Sequence, residues 1–249
     1  MLWVLMSRHA VVFGASGQLG VELVRELRAR GYTVAGWGRS QVDITDAAAV
    51  EKALAHSEAE VVFNSAAYNQ VDVAEREPLA AFEVNALAVR NLALACRQMD
   101  ARLVHFSTDY VFDGKAGHPY AEDEPTHPLG AYAVSKLAGE LYAQAYLDQA
   151  LIVRTSGVFG PGGRATARGN FVELMLRLAA SGQPIPSTAA KIRPRTTRAS
   201  APMRASSISA SGPSARPRRS RYAPPAIGRR KRSGSAARSI ASVALSRIS

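Results

Sequence analysis

Short apolar runs rich in β-branched residues alternate along the chain with longer segments whose apolar residues recur every three or four positions. The short runs predict β-strands at His9–Phe13, Tyr32–Trp37, Glu60–Phe63, Arg102–Phe106 and Leu151–Arg154. The longer segments predict helices, one carrying Leu19, Leu23 and Leu27 and the others at Ala47–His56, Leu79–Met99, Leu129–Tyr146 and Phe171–Ala180. This alternation is typical of a parallel sheet covered by helices on both faces, so we predict a doubly wound α/β fold.

The composition changes abruptly at Ser187. The last 63 residues carry 15 basic residues and no acidic one, and only seven of them are Leu, Ile, Val or Phe. Such a segment cannot bury enough apolar surface to offset the entropy lost on ordering. We therefore predict a folded domain over residues 1–186 and an unfolded tail over residues 187–249. The domain holds 16 basic and 20 acidic residues, so the net charge of +11 originates in the tail.

The composition also excludes several classes of protein. Cys96 is the only cysteine, which excludes an internal disulfide and a cysteine-rich metal cluster, and we predict no metal site. No apolar run reaches the ~18 residues that span a bilayer. The apolar start, Met1–Met6, is too short for a secretory signal and lacks its basic beginning. We therefore expect a cytoplasmic protein with no membrane partner.

The basic tail has a competing interpretation as an arm that binds nucleic acid by counterion release. The run Arg229-Arg230-Lys231-Arg232 favours it, but Tyr222 is the only aromatic residue in the tail. Base stacking therefore has little basis, and we do not expect nucleic acid as a partner.

A glycine-rich turn, Gly14–Gly20, lies between the first predicted strand and the first predicted helix, where a dinucleotide-binding turn belongs. Gly14 permits a tight turn, Gly17 lets the backbone approach a pyrophosphate, and Gly20 allows close packing of helix and strand. The amides of the helix start would bind the anion, so Ser16, Gln18 and Leu19 are also candidate cofactor residues. The alternative is an ordinary βα turn. With this turn, the predicted fold is of the Rossmann type.

The end of the second strand indicates which dinucleotide binds. An acidic residue there would accept the ribose hydroxyls of NAD. Instead Arg39 follows the strand, and no acidic residue occurs before Asp43, so these two are the candidate cofactor residues here. Because a guanidinium suits a 2′-phosphate, we predict NADP(H), with NAD(H) as the second choice. The alternative for Arg39 is a solvated loop residue.

A tyrosine and a lysine, Tyr132 and Lys136, are spaced to share one face of the predicted helix Leu129–Tyr146. The phenol of a free tyrosine titrates near 10, and a neighbouring cation would lower that pKa toward neutral pH. Thr108, just past the strand Arg102–Phe106, would hydrogen-bond a substrate oxygen while Tyr132 gives the proton and a nicotinamide gives the hydride. The alternative is an exposed pair on a surface helix.

With these residues the chain resembles the extended short-chain dehydrogenase/reductase superfamily and, within it, the family of dTDP-4-dehydrorhamnose reductases. The resemblance runs from about His9 to Pro186. The matching runs are Gly17–Gly20, Asn64–Tyr68, Val71–Glu75, Ser107–Gly114, Ser135–Glu140, Arg154–Ser156 and Gly169–Phe171.

The resemblance implies a catalytic trio of Thr108, Tyr132 and Lys136, of which Tyr132 and Lys136 also bind the cofactor. The residues that it places beside the sugar are Thr108, Asp109, Tyr110 and Tyr132. It also implies a cofactor loop at Ala66, Ala67 and Tyr68. Asn85 corresponds either to the superfamily's cofactor- or relay-linked asparagine or to a helix-stabilising residue. Gly157 departs from the family, many of whose members carry Trp there, and Ala133 replaces a common Gly.

The implied activity is the NADPH-dependent reduction of dTDP-4-dehydro-L-rhamnose at C4, with a nucleotide sugar as substrate and a homodimer as the expected assembly. One alternative is another nucleotide-sugar reductase or epimerase, and another is a non-catalytic NADP-binding regulatory subunit. The intact Thr108, Tyr132 and Lys136 favour an enzyme.

The family continues past residue 186 with sequence that helps to form the sugar site, and the tail does not resemble it. We hypothesise that the tail arose by a frameshift. Bases that encode Ser187–Arg195 can, when read one position earlier, encode Val-Asn-Gly-Arg-Glu-Asp-Pro-Pro-Thr, which resembles the family. A frameshifted chain would have an impaired sugar site.

Overall fold

A computed structural model describes residues 8–161 and 170–181 of the chain. Its sheet is fully parallel, and the strands lie in the order β2-β1-β3-β4-β5. The strands are β1 (Arg8–Phe13), β2 (Tyr32–Trp37), β3 (Val61–Asn64), β4 (Arg102–Thr108) and β5 (Ala150–Thr155). Strands β2 and β3 flank β1. The connection from β1 to β2 therefore runs to one side of β1, and the connection from β2 to β3 crosses to its other side. In open α/β sheets a ligand binds at such a point, beyond the carboxyl ends of the strands.

Seven α-helices connect and follow the strands in the described part of the chain. They are α1 (Gln18–Ala29), α2 (Ala47–Ala55), α3 (Val71–Ala74), α4 (Pro78–Phe82), α5 (Ala88–Gln98), α6 (Ala131–Tyr146) and α7 (Phe171–Ala180). A π-helical segment, Glu83–Leu87, joins α4 to α5, and a 3₁₀ turn, Asp109–Val111, follows β4. The described residues up to Arg177 form one compact unit and those from Leu178 belong to a second; the sheet lies in the first.

Alternate residues of the strands enter two apolar cores, one on each face of the sheet. In β1, Ala10 and Val12 pack with Leu23 and Leu27 of α1. Val11 and Phe13 belong to the opposite core, which contains these residues of α2, α5 and α6: Val50, Leu54, Ala88, Val89, Leu92, Ala93, Ala95, Cys96 and Ala143. Side chains alternate between the faces of a strand, so a strand buried on both faces is apolar throughout. The predicted doubly wound fold is therefore confirmed.

The predicted strands and long helices are also confirmed, with their bounds shifted by up to two residues. The predicted helix Leu79–Met99 is not continuous α-helix, because the π segment interrupts it. The short α3 was not predicted, since four residues carry too little periodicity to indicate a helix. The N-terminal run Met1–Met6 and the predicted tail, residues 187–249, lie outside the described residues.

The helix formed by α4, the π segment and α5 is long and apolar. One 18-residue window within Pro78–Gln98 has a mean hydropathy of 1.4, and the helix is long enough to cross a membrane. Half of that window is buried inside the protein, against α2 and α6 among other elements. Core helices of soluble proteins can be equally long and apolar, so this feature is weak evidence for a membrane span.

The π segment lies in close backbone contact with α6. A Cβ atom at Gly139 would overlap the carbonyl oxygen of Asn85 and approach the side chain of Val89. Only glycine therefore lets α6 lie this near to the helix that carries Asn85. This contact sets the distance between two elements that border the site described below.

We predict that Gly139→Ala destabilises the protein by about 1–3 kcal/mol, because the added methyl group pushes α6 away from the π segment. The intrinsic helix propensity of alanine acts in the opposite direction, by about 1 kcal/mol, so a net loss reports the overlap. Urea unfolding measures the difference. Gly157→Ala is the matched control, since no atom lies within 4 Å of its added Cβ. Equal stability of both variants would contradict the prediction.

Candidate active site

A cavity of about 880 Å³ opens at the carboxyl ends of the strands. Its volume is in the range of small-molecule and cofactor sites, about 300–1,000 Å³. Of the predicted site residues, those that line it are Gly14, Ser16, Gly17, Gln18, Leu19, Arg39, Asp43, Ala66, Ala67, Tyr68, Thr108, Asp109, Tyr110 and Tyr132. Gly20 and Lys136 are not part of this lining. The structure thus brings together residues from four βα connections and α6.

The glycine turn is built from close backbone approaches. Gly14 has a φ of +74°, and a Cβ there would overlap the backbone of Ser65 and Ala66 after β3. A Cβ at Gly20 would overlap the backbone of Gly14 and Ala15, so α1 starts directly on the turn. Helix α1 begins after Gly17 with no side-chain cap. Its first amide groups and the positive end of its dipole therefore face the cavity as an anion site.

Arg39 and Asp43 form an ion pair at the edge of the cavity. The Nε of Arg39 donates to Oδ2 of Asp43 over 3.1 Å, while the other carboxylate oxygen accepts from the backbone and hydroxyl of Thr45. The Thr45 backbone hydrogen bond, with help from the Thr45 hydroxyl and Arg39, lowers the pKa of Asp43. The Arg39 side chain is 82% exposed, so its remaining donors are open to an anionic ligand.

Tyr132 and Thr108 both line the cavity and interact with each other. Tyr132, in the first turn of α6, packs edge-on against Tyr110, with ring centroids 6.1 Å apart. Burial raises the pKa of Tyr132, and the nearby Tyr110 and Asp109 raise it further, whereas a hydrogen bond with the Thr108 hydroxyl lowers it. Burial also raises the pKa of Asp109. The phenol of Tyr132 therefore stays protonated at neutral pH.

Lys136 lies one turn further along α6 and is 2% exposed. Its Nζ donates to the carbonyl oxygen of Phe106 in β4 over 2.6 Å. Burial lowers the pKa of Lys136 to about 8, although the charge of Glu140 acts in the opposite direction. The ammonium group thus ties α6 to the strand that ends in Thr108.

The sequence analysis expected Lys136 to lower the pKa of Tyr132, and this expectation was wrong for the structure described here. The ammonium group interacts with Phe106, and burial has the largest effect on the phenol. The spacing of four residues correctly predicted one helical face, but it carried no information on the depth at which each side chain is buried.

Asn85 connects the predicted cofactor loop to α6. Its Oδ1 accepts from the amide of Tyr68, and its Nδ2 donates to the Tyr68 carbonyl and the Ser135 hydroxyl, all at 2.9–3.0 Å. Asn85 is 1% exposed, so these bonds satisfy a buried amide and hold the loop in place. The structure therefore gives Asn85 a role beyond stabilising its own helix.

Sequence reasoning missed several residues that line the cavity. The loop after β5 contributes Ser156 and Val158, and the carbonyl of Val158 accepts from Nε2 of Gln18 over 2.7 Å. Asn170 lines the cavity as well. Two matching runs, Arg154–Ser156 and Gly169–Phe171, contain Ser156 and Asn170 and were the only signal for them.

Within residues 8–161 and 170–181, no group of three or more His, Cys, Asp or Glu side chains is arranged to hold a metal ion.

The strand order, the glycine turn and the cavity define a Rossmann-type domain with a dinucleotide-binding arrangement. Comparison with known families is more specific, because the family described as "RmlD substrate binding domain" matches residues 8–210. The chain belongs to this family. The match runs past Pro186, where the sequence analysis placed the end of the resemblance.

Several curated relatives are named dTDP-4-dehydrorhamnose reductase, and others carry different names, such as the dTDP-4-keto-6-deoxy-D-glucose reductase of Streptomyces niveus. The dTDP-4-dehydrorhamnose reductase of Streptomyces griseus is 48% identical over 171 residues, which cover 68% of this chain and 55% of that protein. The reductase of Mycobacterium tuberculosis H37Rv is 44% identical over 178 residues, which cover 70% and 57%. This chain thus spans little more than half the length of these relatives.

Solved structures share the fold. The dTDP-4-dehydrorhamnose reductase from Bacillus anthracis, in complex with NADP, has a TM-score of 0.66 and 35% identity, and the match covers 71% of this chain and 61% of that one. A UDP-glucose 4-epimerase from Thermus thermophilus, in complex with NAD, has a TM-score of 0.63 and 30% identity, with coverage of 71% and 64%.

We predict that the buried charge of Lys136 makes stability depend on pH. Its pKa is about 8 in the folded protein against an ordinary 10.5, so between these values the unfolded chain binds more protons. The free energy of unfolding therefore rises with pH across this window, by on the order of 3 kcal/mol in total. Comparison with Lys136→Met, which lacks this titration, isolates the effect because all other groups are shared.

Urea unfolding at pH 7.5, 8.5 and 9.5 measures the effect. The parent should gain stability relative to Lys136→Met as the pH rises. Lys52→Met, at an exposed lysine of α2, is the control and should show a constant difference from the parent. A constant difference for Lys136→Met as well would contradict the burial of a charged Lys136.

Proposed function

We propose that this chain binds NADPH and reduces the C4 ketone of dTDP-4-dehydro-L-rhamnose to give dTDP-L-rhamnose. The observation that carries the proposal is the cavity itself, which Tyr132 and Thr108 line together with the glycine turn. The family and the names of the curated relatives support the choice of reaction.

The residues present fit a dinucleotide. At Gly14 and Gly20 the turn packs so closely that a Cβ atom would overlap neighbouring backbone, and the start of α1 offers uncapped amide groups for a pyrophosphate. Arg39 is positioned to pair with a 2′-phosphate, which distinguishes NADP from NAD. Ala66, Ala67 and Tyr68 form the wall that Asn85 holds in place. When bound, the reduced nicotinamide supplies the hydride.

Tyr132 is the proton donor in this proposal. A phenol with a raised pKa keeps its proton at neutral pH, and it can release that proton to the far more basic oxygen that develops as a ketone becomes an alcohol. The hydroxyl of Thr108 lies beside the phenol and donates a hydrogen bond to the same oxygen. Lys136 fixes the distance between them, because its ammonium group joins α6 to β4.

Asp109 and Tyr110 extend from the end of β4 toward the sugar. Tyr110 is 54% exposed and packs against Tyr132, so it forms a flat apolar side of the sugar site. Gly157 also lines the cavity, and no atom lies within 4 Å of a Cβ built there. The sugar site is therefore more open at this point than in family members with a Trp.

We expect Tyr132→Phe to lower kcat for NADPH oxidation with dTDP-4-dehydro-L-rhamnose by about 10²–10⁴-fold, because the proton donor is lost. The affinity for NADPH, measured by fluorescence titration, should change little. Tyr142→Phe, on the same helix outside the cavity lining, is the matched control and should keep the parent rate. Turnover by Tyr132→Phe at the parent rate would require a different mechanism.

We expect Arg39→Ala to raise the Kd for NADPH about tenfold or more, because charge-assisted hydrogen bonds contribute about 1.5–3 kcal/mol. The Kd for NADH should stay near the parent value, since NADH has no 2′-phosphate. Arg28→Ala, at an exposed position in the last turn of α1, controls for the loss of one positive charge. An equal loss of affinity for both cofactors would show that Arg39 does not contact the 2′-phosphate.

A further inference from the structure

Glu140 is a buried carboxylate that the mechanism above does not use. It lies one turn after Lys136 on α6 and is 2% exposed. Arg154 of β5 binds it with two donors, Nη2 to Oε2 over 2.7 Å and Nε over 3.1 Å. The hydroxyl of Ser107, adjacent to Thr108, donates to its Oε1. A buried carboxylate with this many charge-assisted bonds has one defined position.

Arg154 is itself held from the opposite side. Its guanidinium lies 5.1 Å from the ring centroid of Phe112, and that ring stacks on Tyr120 at 4.3 Å. The hydroxyl of Tyr120 in turn donates to Asp113 over 2.8 Å. The loop after β4 therefore helps to hold Arg154, which in turn holds Glu140.

We propose that Glu140 is a positioning residue of this site: held by Arg154 and Ser107, its carboxylate keeps the ammonium group of Lys136 charged on the carbonyl of Phe106. The inference deepens the proposed function and, for its effect on turnover, rests on it. Glu140 does not itself line the cavity, although its hydrogen-bond donor Ser107 does, and it acts on the site through Lys136.

The groups that surround Lys136 agree with this role. Tyr132 on the same helix stays neutral because burial raises its pKa, and His105 of β4 stays neutral because burial and Lys136 lower its pKa far below its usual value. Arg154 of β5 is positive and cannot favour a second cation. Glu140 is therefore the negative charge that offsets the burial of the ammonium group.

The test is the titration of Lys136 in full-length protein without cofactor or substrate, followed by NMR of lysines labelled with ¹³C at Cε. The chain contains five lysines, and comparison with Lys136→Met assigns the resonance. The parent should titrate near pH 8. Glu140→Gln keeps the shape and removes the charge, so its midpoint should fall by about one pH unit or more. Glu140→Asp keeps the charge, so the midpoint of Lys136 should be higher in this variant than in Glu140→Gln.

Glu26→Gln is the matched control, because Glu26 forms an ion pair with Arg30 on the surface of α1. It should leave the Lys136 midpoint unchanged. An unchanged midpoint in Glu140→Gln would overturn the proposal, as would a midpoint for Glu140→Asp equal to that of Glu140→Gln. Should Glu140→Gln fail to fold, Glu140→Asp compared with the parent still tests it, since a retained charge predicts a midpoint near pH 8.

Activity provides a second readout. In Glu140→Gln the alkaline limb of the kcat profile should move to lower pH by the same amount as the NMR midpoint, with KM for NADPH unchanged. If the parent chain oxidises no NADPH with the keto-sugar, the proposed function is refuted. The role of Glu140 would still stand if Glu140→Gln lowers the midpoint of Lys136.

Discussion

The ammonium group of Lys136 donates to the carbonyl oxygen of Phe106 from a position almost without solvent contact. A buried cation is costly unless it is paired and hydrogen-bonded, so the surrounding structure must satisfy it. Glu140 supplies the opposite charge, and Arg154 and Ser107 hold Glu140 in place. This interaction joins α6 to β4, and it places the helix that carries Tyr132 against the strand that ends in Thr108. The geometry of the site therefore depends on it.

Close backbone contacts complete the same arrangement. Gly139 allows α6 to approach the π segment at Asn85, and Asn85 then reaches both backbone groups of Tyr68. Gly14 allows the turn after β1 to approach the loop after β3. Glycines at these positions let two loops and α6 converge on one cavity, whereas a methyl group at either position would separate the elements. The wall of the cofactor site and the helix of the proton donor are thus positioned by one set of contacts.

Much of the fold was predictable because its signals are local. The five strands and the long helices follow from periodicity, and the glycine turn follows from its place between β1 and α1. The π segment and the burial of Lys136 were not predictable, since each depends on which elements pack together. The pKa of Tyr132 shows the limit clearly. The spacing indicated that the ammonium group of Lys136 would lie near the phenol of Tyr132. In the packed structure that ammonium group binds the carbonyl oxygen of Phe106, and burial has the largest effect on the pKa of Tyr132.

The sequence by itself determined the order of strands and helices, the residue types of the site and the sharp change in composition at Ser187. These properties depend on neighbours along the chain, which determine periodicity, turn formation and local charge. Only the tertiary structure decided that Glu140 and Arg154 meet beside Lys136, that Asn85 binds Tyr68, and that Gln18 reaches Val158. These pairs are separated by 14 to 140 residues, and the energy of each depends on burial, which arises only when the sheet and its helices pack.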